Sequence, residues 1–266
     1  MQLEIIHQKP LGIARSTPLL FVHGKWHGAW CWQEHFLPYF AAHGYDCHAL
    51  SLRGHAGSQG HENLRWTSIA AYVEDIARVV ASLERPPVLI GHSMGGFIVQ
   101  KYLEKHAAPA AVLLTAIPPF GLWQTTRLIF HRCPLVFMKA LFSLRLYPIV
   151  ETAGLAREAL FSADMPPEKV SAYHLRLGDE SIRAYFDELG LNLVRRRHVK
   201  TPLLVIGARD DAVITTGMVL ATARCYNTTA EIFPAMAHDV MLEAGWEKVA
   251  ARILDWLDEP GILGGS

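Results

Sequence analysis

The chain predicts an α/β fold built on a mostly parallel sheet with helices on both faces. Short β-like runs recur along it, several of them wholly apolar, and helical stretches separate most of them. Between residues 118 and 198 the alternation gives way to helical segments alone. Continuous apolar runs suit strands buried on both faces, and a sheet covered by helices on both sides provides that burial.

In chain order the expected strands are 19–22, 45–51, 88–91, 111–115, 203–207 and 230–233, with 3–7 as an edge strand. Helices are expected over 32–43, 67–83, 95–105, 215–225 and 246–257. In the second of these, Ile69, Tyr72, Val73, Ile76, Val79, Val80 and Leu83 recur at helical spacing, so one face must be buried. Arg53 to Ser58 reads as a loop by its glycines, and His55 within it as a turn residue rather than a ligand. Residues 118–198 read as helices broken at Pro134, Pro148, Gly154, Pro166-Pro167 and Gly178. Both ends of this insertion leave from the strand C-terminal edge, so it should cap whatever site lies there. The expected organisation is a core of 1–117 and 199–260, a helical cap of 118–198, and a disordered tail of 261–266.

The 266 residues suffice for one large domain with an insertion. Hydrophobic residues make up 51% and charged residues 19%, which excludes a disordered chain. Lys plus Arg and Asp plus Glu each number 25, so no net field attracts nucleic acid or an anionic membrane from afar. The expected partner is therefore a small, largely neutral molecule. Met1 to Pro10 lacks the apolar core of a secretory signal, and the expectation is a cytoplasmic protein. Cys31, Cys47, Cys133 and Cys225 form no C-x-x-C pair and read as buried reduced thiols, with neither a disulfide framework nor a metal site. No apolar run approaches the ~20 residues of a membrane span, so stable membrane insertion is not expected.

The chemistry begins at Gly91-His92-Ser93-Met94-Gly95-Gly96, which follows the apolar run Pro87 to Ile90 and opens a helix. A serine on such a strand-turn-helix corner projects its hydroxyl from the sheet, and amides of the helix N-terminus point at the same place. A serine hydroxyl needs a base, and the base needs a carboxylate to fix its tautomer. The strand at 203–207 runs into a loop carrying Asp210 and Asp211, either of which can supply that acid. His238, on the loop after the last strand, is the expected base, while Asp239 should point elsewhere as a loop or helix-start residue. An oxyanion would require two backbone N–H donors. Met94 supplies one, and Lys25, in the loop His23 to Trp30, supplies the other.

With His23-Gly24, the Ser93 elbow, and the Gly207-x-x-Asp210 and His238 loops in this order, the chain resembles the α/β-hydrolase superfamily over essentially its whole length. The resemblance assigns the acid to Asp210, with Asp211 as the other candidate. The string His23 to Trp32 is similar to a small-esterase and hydroxynitrile-lyase-like branch and to bacterial proteins called lysophospholipases. Hydroxynitrile lyases of this fold carry lysine beside the catalytic histidine, where this chain has Asp239. Lys25 stands where that branch has small residues, so its side chain should narrow or charge the pocket mouth.

The resemblance implies a serine esterase that forms an acyl-enzyme on Ser93 and needs no cofactor or metal. The same triad serves lactone, thioester or carbon–carbon bond hydrolysis, and a non-catalytic receptor on this scaffold is a third reading. Trp26, Phe137, Leu141 and Leu144 are the expected substrate contacts. The stretch Leu135 to Tyr147 is apolar almost all round a helix. Packing between cap and core is the first expectation for it, ahead of an acyl-chain tunnel and of a lipid-surface or homodimer contact. Arg195 to His198 reads as a solvated helix end.

Overall fold

The computed structural model describes residues 1–263. Its strands are β1 (Ile5–Gln8), β2 (Leu19–Val22), β3 (Cys47–Leu50), β4 (Val88–His92), β5 (Ala111–Leu114), β6 (Leu203–Ala208) and β7 (Ala230–Phe233). They form one sheet in the order β1-β3-β2-β4-β5-β6-β7, with β1 antiparallel to β3 and every other pair parallel. The central strands β2 to β6 are buried at every position, which is why β2, β5 and β6 read as unbroken apolar runs.

The core helices are α1 (Trp30–Gln33), α2 (Phe36–Ala42), α3 (Ile69–Ser82) and α4 (Met94–Tyr102). The stretch expected as one helix over 32–43 is two, since the chain turns between Gln33 and Phe36 and His35 does not hold helical dihedrals. In α3 the Ser68 hydroxyl caps the N-terminus by accepting from the Ala71 N–H, and Ile69, Tyr72, Ile76 and Val79 form the buried face.

Between β5 and β6 the chain carries α5 (Trp123–Arg132), α6 (Pro134–Ser143), α7 (Ala153–Leu160), α8 (Pro167–His174) and α9 (Ile182–Phe186), with no strand among the described residues. The expected run from Leu135 to Tyr147 is not one helix. It ends where Leu144 takes a left-handed conformation (φ 53°), and a 3₁₀ turn follows at Tyr147–Val150. Phe137 and Ala140 face inward on α6, whereas Leu135 and Phe142 are 84% and 82% exposed, so one side of this helix meets solvent.

After β6 come α10 (Thr216–Cys225) and α11 (Trp246–Leu257). Arg196–His198 is a three-residue 3₁₀ turn rather than a helix end, held where the Arg195 N–H donates to Glu104. Cys31 and Cys47 are buried, but Cys133 and Cys225 are only half-buried. Of the tail expected to be disordered, Gly261 to Leu263 form a turn with Ile262 and Leu263 partly buried against the core, and residues 264–266 lie outside the described residues. No helix among the described residues is long and apolar enough to cross a membrane.

Candidate active site

Ser93 sits at the junction of β4 and α4 with φ 51° and ψ −116°, a strained conformation for a residue with a side chain. Glycine makes the corner feasible. A Cβ at Gly95 would come within 2.3 Å of the Val22 carbonyl oxygen, and one at Gly24 within 2.9 Å of Ser93 Cβ. The corner thus lies against the end of β2 and the loop that follows it.

Ser93 Oγ lies 2.9 Å from His238 Nε2, and His238 Nδ1 lies 2.8 Å from Asp211 Oδ2. The carboxylate against the imidazole is therefore Asp211, not the expected Asp210. The strand explains the difference. β6 runs on to Ala208, and the Arg209 N–H continues its pairing by donating to the Phe233 carbonyl, so the third residue past the strand end is Asp211. Asp210 is exposed. Asp211 is buried, and its second oxygen accepts from the Val213 and Ile214 N–H groups at 2.7 and 2.8 Å, which holds the carboxylate in one orientation. Burial by itself would lower the His238 pKa, but Asp211 more than offsets this and the net shift is upward.

The Lys25 and Met94 N–H groups have no acceptor among the described residues. Hydrogen bonds orient the Lys25 peptide. The Leu52 N–H donates to His23 Nε2, so the ring proton sits on Nδ1 and is donated to the Gly24 carbonyl at 2.7 Å. In a trans peptide the Lys25 N–H then points the opposite way. The next two carbonyls are also held, Lys25 by His27 Nδ1 at 2.6 Å and Trp26 by the Gly178 N–H at 2.8 Å.

The Lys25 side chain does not leave a free charge at the pocket mouth. Its ammonium lies 2.5 Å from Glu188 Oε2, in a buried pair between the loop after β2 and the segment after α9. Burial raises the Glu188 carboxyl to about 7 despite this partner.

Beside Ser93 and His238 a narrow apolar cavity of about 40 Å³ is lined by Trp26, Phe137, Ile129, Ile149 and Val213, among others. Trp26, Ile129, Ile149 and Val213 also line an adjoining chamber of about 220 Å³ that reaches Arg132 and Glu158. Of the expected contacts, Trp26 and Phe137 line the cavity. Leu141 and Leu144 do not: Leu141 packs against the core, and Leu144 follows the helix end and is partly exposed.

Three residues have larger roles than their sequence context suggested. Asp239 is fully buried, accepts from His27 Nε2 at 2.9 Å, and so joins the His238 loop to the loop after β2. Burial opposes its charge, but the neighbouring histidines, His27 first, keep its pKa below the ordinary range. His92 donates from Nε2 to the His238 carbonyl (3.1 Å), which Thr115 Oγ1 also contacts (2.9 Å), and burial takes its pKa down to about 3. His55 sits in a turn, and its ring also lies 3.2 Å from Glu180 Oε2. Buried aspartates and histidines are invisible to hydrophobic periodicity, and their partners lie tens to hundreds of residues away.

Among the described residues, two groups bring possible metal-ligand atoms within 4.8 Å of one another. In His92, His238 and Asp239, both His238 ring nitrogens are already engaged with Ser93 and Asp211. In His7, Asp46 and His48, the two rings stack with an interplanar angle of 5°, so their in-plane lone pairs run side by side and do not converge on one ion.

A family model described as the alpha/beta hydrolase family matches residues 19–252. The chain belongs to the alpha/beta hydrolase family. Similarity to a monoacylglycerol lipase of Mycolicibacterium smegmatis is 26% identity, covering 84% of this chain and 82% of that protein. A pyrethroid hydrolase of Sphingobium wenxiniae is 24% identical, over 92% and 89% respectively. Among solved structures, a monoacylglycerol lipase of Paleococcus ferrophilus superposes with a TM-score of 0.70 at 19% identity, covering 97% of this chain and 98% of that one. An esterase of Exiguobacterium antarcticum gives 0.72 at 18% identity, over 97% and 96%. At such identities the structures speak to the alpha/beta hydrolase fold alone.

Proposed function

We propose that this alpha/beta hydrolase cleaves carboxylic esters through an acyl-enzyme on Ser93, with His238 as general base and acid and Asp211 as the orienting carboxylate. The observation that carries this reading is the Ser93–His238–Asp211 hydrogen-bonded chain together with two backbone N–H groups that no acceptor among the described residues engages. The names of the lipase and hydrolase relatives support it. The helices of 118–198 act as the cap, and the apolar cavity and adjoining chamber take the substrate's hydrocarbon chain.

The reaction begins as His238 Nε2 takes the Ser93 proton while Oγ attacks the ester carbonyl. The Lys25 and Met94 N–H groups stabilise the resulting oxyanion. Collapse of this intermediate breaks the carbon–oxygen bond, and the imidazolium gives its proton to the departing alkoxide. Water activated by the same nitrogen then hydrolyses the acyl-enzyme.

The test is a panel of p-nitrophenyl esters from acetate to palmitate, with lactones and thioesters alongside because one triad can serve all three. Ser93 should be labelled by a fluorophosphonate, and Ser93→Ala and His238→Ala should each lose on the order of 10⁴ to 10⁶ in kcat with melting temperature retained. Retention of a tenth of wild-type turnover by either variant would sink the assignment.

A further inference from the structure

Trp26 has different surroundings on its two sides. On one lies the apolar cavity with Ser93 and His238. On the other lies a cleft of about 690 Å³ whose wall includes His61, Arg65, Trp66, Arg145 and Arg176. Glu62 and Asp179 also line this cleft, but Asp179 is committed: it accepts from Arg145 Nε at 2.6 Å and from the Tyr147 and Glu180 N–H groups. Glu62 accepts from the side chain of Asn63 at 3.1 Å.

Among the described residues, neither Arg65 nor Arg176 has a carboxylate partner. The Arg176 guanidinium carbon lies 4.4 Å from the centroid of the Trp30 ring, a cation–π contact that restrains the group and uses none of its N–H donors. A guanidinium already held in place loses little freedom on meeting an anion, and it can donate two parallel hydrogen bonds to a phosphate or carboxylate. Cleft and cavity have Trp26 in common: its carbonyl accepts from the N–H of Gly178 in the cleft wall, and the residue before it carries the N–H assigned to the oxyanion. Trp26 is also left-handed (φ 65°), and its buried indole N–H has no partner.

We infer that the cleft binds an anionic group on the substrate, a phosphate or carboxylate on the arm of the ester opposite its hydrocarbon chain, through Arg65 and Arg176. This rests on the ester-hydrolase reading above and adds the polar half of the substrate to it. The balance of 25 acidic and 25 basic residues is no obstacle, because recognition depends on the groups lining the cleft and not on the net charge.

The anion can sit on the alcohol or on the acyl group, and matched pairs separate the two. One pair is 1-octanoylglycerol 3-phosphate and 1-octanoylglycerol; the other is mono-octyl succinate and the neutral octyl succinamate. At low ionic strength at least one anionic member should exceed its neutral partner in kcat/KM by about tenfold or more. Arg65→Gln and Arg176→Gln should each reduce that ratio about 3-fold to 10-fold, bringing it toward one, as expected for a charge-assisted contact at an exposed site, and added salt should erode it. Melting temperatures identify any variant that loses its fold, and Arg65→Gln keeps the test open if Arg176→Gln does so by releasing Trp30. Equal rates within both pairs, or ratios unmoved by either substitution, would overturn the proposal while turnover of p-nitrophenyl esters kept the underlying reading intact. Failure of every ester in the panel would instead remove that reading.

Discussion

A carboxylate can orient an imidazole only if it is itself held, and Asp211 is held by two backbone N–H groups while Asp210 faces solvent. Asp211→Asn is therefore expected to cost roughly 10³ to 10⁴ in kcat, by favouring the wrong tautomer of His238, whereas Asp210→Asn stays near wild type. Steady-state kinetics on the two variants decides between the adjacent residues. The pH dependence follows from the same contact. In the proposed reaction His238 must be neutral to accept the Ser93 proton, and Asp211 raises its pKa, so kcat/KM should fall with decreasing pH through a midpoint above the ordinary histidine value of about 6.5. Asp211→Asn removes the larger part of that support and leaves only the weaker effect of Asp239 against burial, which should move the acid limb to lower pH in a pH–rate profile. Ser93 and His238 were legible because a strained elbow needs small neighbours and a base must follow a late strand. The choice between Asp210 and Asp211 was not, because it turns on where β6 stops.

Among the helices over the site, α6 illustrates how one apolar stretch divides its work. Phe137 lines the cavity beside Ser93 and His238, Leu141 packs against the core, and Leu135 and Phe142 face solvent. Phe137→Ala should lower kcat/KM for medium and long acyl esters by about 1 to 3 kcal/mol while sparing acetate. Leu141→Ala should lower the melting temperature and affect all chain lengths alike. Chain-length profiles and thermal melts on both variants check the division, and a uniform activity loss in Phe137→Ala would place that side chain in structural packing. Helical periodicity marks apolar residues but does not say which apolar neighbour each will find, so Phe137, Leu141 and Leu144 looked alike in the sequence.

At the scale of the whole molecule, buried polar contacts fasten the segment that flanks α9 on both sides, from Glu180 to Glu188, to the core. Glu180 meets His55 and the Tyr72 hydroxyl, Lys25 meets Glu188, and Asp187 accepts from the Ile69 N–H at the start of α3. Burial works against the Glu180 charge, but His55 and Lys25 hold its pKa at about 2, and Glu180 in turn raises that of His55. A raised histidine pKa contributes stability that is fully present below the unfolded value near 6.5 and is lost as pH rises through the folded value. Glu180→Gln should therefore destabilise the protein by about 2 to 3 kcal/mol at pH 6, and the gap from wild type should narrow at higher pH. Chemical denaturation at several pH values measures this, and a gap independent of pH would mean that His55 is not charged in the fold.

The sequence by itself determined the alternation that builds the sheet, the helical character of 118–198, and the chain order of Ser93, the acid loop and His238. These depend on local rules: unbroken apolar runs for doubly covered strands, prolines that break helices, glycines at the corners. Tertiary structure alone decided that Asp211 meets His238, that Asp239 is buried against His27, and that Lys25 is matched by Glu188. Each depends on a distant segment arriving at a set depth. Residues 25 and 188 carry no mutual signal along the chain, and only the closing of the helical segment over the sheet removes the water that would otherwise separate their charges.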